Sequence, residues 1–212
     1  MIDEQTGKKK NSFWRELPIL LGVAILVAVL VRAFVLQTFY IPSPSMEHTL
    51  DIYDRVLVNK LVYDFRSPKR GEIIVFEAPA DWRSNPDGED FIKRVIGTEG
   101  DHIVCCDAQQ RITINGQPLD EPYLYSEGGT TDLPADEPFD ITVPKDRLWM
   151  MGDHRSASGD SLEHWERTRD INSATIPEDA VIGRAFTVFW PVGRAKWLSI
   201  PDSFDSIPAP TG

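Results

Sequence analysis

Apolar and polar positions are unevenly distributed along the chain. Residues 17–31, fifteen in all, pass without a charge, and after Arg32 the apolar run resumes as Ala33, Phe34, Val35 and Leu36. Residues 17–36 form a stretch of twenty. As a helix rising about 1.5 Å per residue, it reaches roughly 30 Å, the thickness of a bilayer's hydrocarbon core. Arg32 lies near one end, where a long side chain can carry its charge to the headgroups. No polar face recurs at helical spacing, which argues against a core helix. Trp14 before the run and Phe39 and Tyr40 after it stand where an aromatic belt would. Lys8, Lys9, Lys10 and Arg15 precede the run, and Arg55 is the single basic residue among the twenty that follow. The positive-inside rule then puts the N-terminus in the cytoplasm and the chain from about residue 38 outside. The competing pattern is a cleaved secretory leader with Val31-Arg32-Ala33 as its small-x-small site. Against it, the apolar residues continue past that site and the run is long for a leader.

Beyond residue 40 the hydrophobic period shortens. β-branched and aromatic runs at 55–58, 72–76, 91–96, 102–106, 111–114, 139–143, 148–151 and 181–190 are separated by Gly, Pro, Asp and Asn, so each is predicted to be a strand. Asn115-Gly116 after the fifth run is a hairpin signal of type I′. The pattern predicts a mainly β fold with a hairpin-rich insertion at about 101–146. The domain plan is a cytoplasmic tail (1–16), a transmembrane anchor helix (17–36), an extracytoplasmic β domain (37–200) and a disordered, Pro-containing tail (201–212). Residues 121–138 read as an acidic, solvated loop.

Charge sharpens this plan. The chain carries 22 Lys and Arg against 33 Asp and Glu, a net charge of −11. Residues 1–40 hold five basic and three acidic residues, a net +2, which leaves −13 for the exported part. Such acidity excludes a nucleic-acid binder. Two cysteines cannot build a disulfide framework or a Cys-rich zinc module. Being adjacent, Cys105 and Cys106 either close a vicinal disulfide or remain a free pair. His102, Cys105 and Cys106 are too compact for a tetrahedral metal site, and His154 and His164 lack a third partner. No metal or other cofactor is expected.

Three segments carry candidate chemistry. Ile41-Pro42-Ser43-Pro44-Ser45-Met46 follows the apolar run; on composition it is a surface turn, but its place would hold a hydroxyl close to a membrane. A serine nucleophile needs a base. In Phe91-Ile92-Lys93-Arg94-Val95-Ile96, alternation puts Lys93 on one face with Phe91 and Val95. A lysine desolvated there has a lowered pKa and can accept a proton. The same pattern also fits an edge strand whose basic residues both reach solvent. The third segment, residues 151–161, is dense in polar groups: a turn, or the source of a hydroxyl that orients the amine.

Taken together in this order after an apolar span, the three segments resemble the boxes of bacterial signal peptidase I, the membrane-bound Ser/Lys endopeptidase of protein export. The nucleophile box is matched at residues 41–46. The general-base box is matched at 91–97, followed by Gly100-Asp101, and the third box at 152–155 and 158–161. Cys105-Cys106 and the Met151-Gly152-Asp153-His154-Arg155 run look similar to actinobacterial members. The resemblance implies Ser45 as nucleophile, Lys93 as general base, Ser43 with the Ser45 N–H as oxyanion donors, and Ser158 as the residue orienting the amine. It implies small apolar subsites, read here as Phe39, Ile41, Pro42, Met46, Leu50, Phe91 and Ile92, and structural ion pairs at Arg94, Asp153, Arg155 and Asp160. The implied activity is removal of signal peptides with small residues at −1 and −3, through an acyl-enzyme. The implied partners are preprotein signal peptides and the lipid bilayer, with contact to the export machinery left open. The implied location is the plasma membrane, single-pass, with the catalytic domain outside. His48 stands where the family usually has Pro, His154 replaces a common Asn, and Leu162 and Glu163 replace an Arg-containing end, which leaves Asp160 without its expected partner. Two rival classes are a self-cleaving Ser/Lys repressor, which would need a helix-turn-helix instead of the apolar span, and a non-catalytic anchored β domain.

Overall fold

The computed structural model describes residues 10–83 and 89–210, with side chains for all of these except 10–15, 33 and 34. In chain order the first elements are α1 (Lys10–Phe34), β1 (Leu36–Tyr40), β2 (Arg55–Asn59), β3 (Ile73–Glu77) and β4 (Asp90–Gly97). Then come β5 (His102–Cys105), β6 (Thr113–Ile114), β7 (Gln117–Pro118), β8 (Ser126–Glu127), β9 (Thr130–Thr131), β10 (Phe139–Thr142) and β11 (Arg147–Met151). Last are α2 (Ser161–Thr168), α3 (Ile171–Ala174), β12 (Ile176–Pro177), β13 (Val181–Trp190) and β14 (Lys196–Trp197).

Among the described residues the larger sheet runs β1-β2-β13-β3-β4-β11-β12, with β14 against β13. The ten-residue β13 is its spine, pairing with β3 at one end and β2 at the other. Register shifts in β13 let one strand serve both neighbours. The unbroken run Ile73 to Phe76 is explained by burial on both faces. Ile73 and Val75 pack with Ile41, Val56 and Val188, whereas Ile74 and Phe76 pack with Val95, Leu148 and Met150. A second sheet, β10-β5-β6-β7, spans residues 102–142 and has Ile103, Ile114 and Ile141 in its own core. Its β6–β7 hairpin turns at Asn115 (φ 52°) and Gly116 (φ 77°), as Asn-Gly predicts. Gly97 lets this sheet seat on the end of β4, since a Cβ there would lie 2.4 Å from Ile103 Cδ1.

The mainly β expectation holds, with three differences. First, the apolar run does not remain helical to residue 36: α1 ends at Phe34, and Leu36 already pairs with Asn59 in the β1–β2 ladder. Phe39 and Tyr40, expected in an aromatic belt, are therefore strand residues. Every side chain from Glu16 to Arg32 is exposed, and among the described residues no helix is long and apolar enough to cross a membrane. The flanking basic residues Lys8, Lys9, Lys10 and Arg15, and Trp14, fall outside the described side chains.

Second, α2 and α3 interrupt the β pattern. Asp160 caps α2 by accepting from Leu162 N, and Glu163 stands three positions on, the spacing of a capping box. Third, the residues expected to be a disordered tail are ordered as far as residue 210. A 3-10 helix at Asp202–Ser206 buries Phe204 and Ile207 in the core of the second sheet, and Arg70 and Asn115 donate to the Ile207 and Pro208 carbonyls. Three apolar anchors, Ile200, Phe204 and Ile207, outweigh the loosening effect of the prolines. Of the two alternatives open for the adjacent cysteines, the structure has Cys105 and Cys106 joined in a vicinal disulfide.

Because Phe204 is only 6% exposed, Phe204→Ala should lower unfolding stability by about 3 kcal/mol. Urea denaturation of the purified protein measures this, and a change within about 0.5 kcal/mol would show that the tail is dispensable.

Candidate active site

β1 runs along β2 until Pro42, which has no N–H to continue the ladder. The chain then turns through a 3-10 helix at Pro44–Met46, with Glu47 N donating to Pro44 O. Met46 and Leu50, both fully buried, pin this turn from beneath. Ser45, in its middle, is only 4% exposed. Its Oγ lies 3.4 Å from Ser43 Oγ and accepts a hydrogen bond of 2.5 Å from Lys93 Nζ.

Lys93 lies on β4, opposite Ile74 of β3. Its neighbours on that face, Phe91 and Val95, join the core cluster of Ile74 and Phe76. The edge-strand alternative is thus overturned: Lys93 is 4% and Arg94 2% exposed. Burial lowers the Lys93 pKa from 10.5 to about 8, against the pull of the Asp160, Asp153 and Glu163 carboxylates. The folded state resists the ammonium form, so the stability penalty is full below about pH 8 and fades as pH rises towards 10.5.

Arg94 is buried with a complete set of partners. Nε and Nη2 hold both oxygens of Asp153 at 2.8 and 2.6 Å, Nη1 donates to Gly71 O, and the guanidinium lies over the Tyr123 ring. Thr49 Oγ1 also donates to Asp153, at 2.5 Å, which ties the Ser45 segment to the loop after β11. The backbone N–H of His154 donates to Ser45 O, and the His154 ring pairs with Glu47 and stacks on Tyr125. His48 adopts φ 78°, with Nδ1 2.9 Å from Leu124 O. Gly152 allows the closest approach, because a Cβ there would lie 2.4 Å from Ser45 O and 2.3 Å from Ser158 Oγ.

The remaining expected residues divide. Phe39, Ile41, Pro42, Phe91 and Ile92 line a cleft of about 430 Å³ that also contains Ser43, Ser45 and Lys93. Met46 and Leu50 do not line it: their side chains point into the core. Ser158 makes no hydrogen bond to Lys93; its hydroxyl donates to Asp160 Oδ2 at 2.6 Å. Asp160 forms no ion pair among the described residues and is satisfied by Ser158, Gly152 N and Leu162 N. Arg155 pairs with Glu121, a partner from the insertion that the motifs did not indicate. Trp82 and His164 were also missed. Their rings stack in parallel, 4.3 Å apart, and line the cleft. Burial, then the Arg167 charge, lowers the His164 pKa. Nothing in the sequence connects Trp82 with His164, but the capping box at Asp160 and Glu163 could have revealed the helix that carries His164.

A shielded serine hydroxyl bonded to a desolvated amine, beside a cleft lined in part by Phe39, Ile41, Pro42, Phe91 and Ile92, is an arrangement compatible with a hydrolase of the serine type. Comparison with known proteins agrees. Residues 14–190 match the family described as signal peptidase, peptidase S26. A signal peptidase I from Leptolyngbya laminosa is 39% identical over 87% of this chain and 83% of its own. A probable signal peptidase I from Mycobacterium leprae is 37% identical over 88% of this chain and 79% of its own. A crystal structure of a signal peptidase I from Enterococcus faecalis V583 is 27% identical and covers 56% of this chain and 97% of its own, with a TM-score of 0.42. The chain belongs to the signal peptidase I family and is a serine peptidase.

Gly152→Ala places a methyl group against the Ser45 carbonyl and should cut kcat by about 100-fold through displacement of the turn that carries Ser45. Steady-state kinetics beside a thermal melt checks this, and wild-type kcat in a folded variant would refute the tight approach.

Proposed function

We propose that the protein is a membrane-bound endopeptidase that removes N-terminal signal peptides from exported preproteins, with Ser45 as nucleophile and Lys93 as general base. The observation that carries this reading is the 2.5 Å contact between Lys93 Nζ and Ser45 Oγ in a site where burial favours the neutral amine. Neutral Lys93 takes the hydroxyl proton as Ser45 Oγ attacks the scissile carbonyl. The Ser45 backbone N–H and the Ser43 hydroxyl receive the oxyanion. Collapse of the tetrahedral intermediate breaks the C–N bond, and the leaving amine takes its proton from Lys93. Water, deprotonated by Lys93, then hydrolyses the acyl group on Ser45. Ser158, held by Asp160, keeps hydroxyl lone pairs able to accept from the Lys93 amine and orient it. Small residues before the scissile bond suit a cleft narrowed by Phe39, Ile41, Phe91 and Ile92 and walled by the Trp82–His164 stack.

The exposure of α1 supports the membrane assignment. Its apolar side chains, Ile19, Leu20, Leu21, Ile25, Leu26 and Val29 among them, are more than half exposed on all sides, which suits hydrocarbon rather than water. Basic residues precede the helix, and by the positive-inside rule they favour an N-terminus in the cytoplasm and a β domain outside, single-pass in the plasma membrane. Signal peptides and the bilayer are the partners.

Ser45→Ala and Lys93→Ala should each lower preprotein cleavage by at least about 1000-fold without unfolding the protein. Near-normal cleavage by Lys93→Ala would end the dyad assignment. In the wild type, cleavage should rise with pH through the amine's titration near pH 8; a limb in the histidine range would assign the base elsewhere. Lys93→Met should be inactive yet melt at a higher temperature than wild type at pH 7, since it removes a charge that burial disfavours.

A further inference from the structure

The cleft at Ser45 is not the only concavity at the site. Beyond Ser158 a second groove of about 560 Å³ opens between the 3-10 turn Arg155–Ala157 and residues 130–136 of the second-sheet region. Gly159 and Glu163 line both spaces, so the two adjoin. Whereas the cleft sets Arg83, Lys93 and Arg167 against Asp81, Glu89, Asp90 and Glu163, the groove is poorer in cations. Its walls carry Asp132, Asp136, Glu163 and Glu166, and its cation, Arg155, is already paired with Glu121. The shielded Oε1 of Glu166 has no hydrogen-bond partner. Burial raises the Glu166 pKa, helped by the charges of Glu137, Asp136 and Asp160. Arg169 acts on Glu166 and Arg167 pairs with Glu163 from outside the lining, which itself sets four carboxylates against one arginine that is already paired.

The topology gives the groove a direction. β1 follows α1 after one residue, so the cleft lined by Phe39, Ile41 and Pro42 begins at the anchor. A substrate whose apolar N-terminal segment lies in the bilayer enters from that side. The chain after the scissile bond must then leave past Ser45 in the other direction, where the acidic groove lies.

We propose that this groove seats the first residues after the scissile bond, favouring lysine or arginine there over aspartate or glutamate, and receives the ammonium group that cleavage liberates. The inference rests on the reading of Ser45 as the nucleophile of a signal-peptide-removing enzyme. Carboxylates at the rim of a partly shielded groove attract cations and repel anions, and salt weakens both effects.

The test uses the full-length protein in detergent micelles and two peptides identical through the scissile bond. One carries Lys and the other Glu at the second and third positions beyond it. At low ionic strength the ratio of kcat/KM should favour the lysine peptide by about tenfold and shrink as salt is added. In the double variant Asp136→Asn, Glu166→Gln the ratio should fall to within about twofold of unity. Because each ratio is taken within one preparation, partial misfolding of the variant does not affect it. A wild-type ratio near one, or a ratio that the double variant leaves intact, would overturn the inference. Cleavage of both peptides no faster than by Ser45→Ala would instead overturn the functional reading on which it rests.

Discussion

Two neighbouring residues of β4 meet the same low dielectric and are treated in opposite ways. Arg94 enters the interior with a bidentate carboxylate, a carbonyl and an aromatic face, so its charge is fully compensated. Lys93 enters with one hydrogen-bond partner among the described residues, a serine hydroxyl, and its charge is not. The contrast follows from chemistry. A guanidinium cannot shed its proton and must be paired, whereas an ammonium can become an amine. The structure therefore depends on leaving Lys93 short of partners while giving Arg94 every partner it needs.

That division of partners explains the architecture around the site. Asp153 is reserved for Arg94 and Thr49, and Asp160 for backbone N–H groups and Ser158, so both carboxylates are kept from direct contact with the amine. The second sheet acts as a buttress: Tyr123 supports Arg94, and Glu121 takes Arg155. Ser45 is held by contacts on several sides, from Met46 beneath, from the His154 N–H at its carbonyl, and through Thr49 to Asp153. A hydroxyl held so closely has little conformational freedom left to lose.

Much of this was legible in the sequence because the chemistry lies in short local segments. The 41–46, 91–97 and 152–161 boxes name the residues that the fold brings together at Ser45, and alternation in β4 already grouped Lys93 with Phe91 and Val95. Strand positions were legible because period-two runs ended at Gly, Pro or Asn. What escaped depends on direction and distance. Met46 and Leu50 sit beside the nucleophile in sequence, but adjacency does not say whether an apolar side chain faces the cleft or the core. Glu121, Trp82 and His164 lie far along the chain from the groups they serve. Residues 201–210 were misjudged because proline content was weighed above three spaced apolar anchors, and α2 because its eight residues barely exceed two helical turns.

Residues 201–210 reach the site from behind: Phe204 stacks on Tyr123, which lies against Arg94, the neighbour of Lys93. The hydrogen bond from Arg70 to Ile207 spans 137 residues, and the one from Thr49 to Asp153 spans 104. Contacts of such long separation close large loops, whose entropic cost is recovered only when the whole domain is assembled. The packing behind Arg94 thus belongs to the globally folded state, and local unfolding of residues 201–210 would loosen a site far away in sequence.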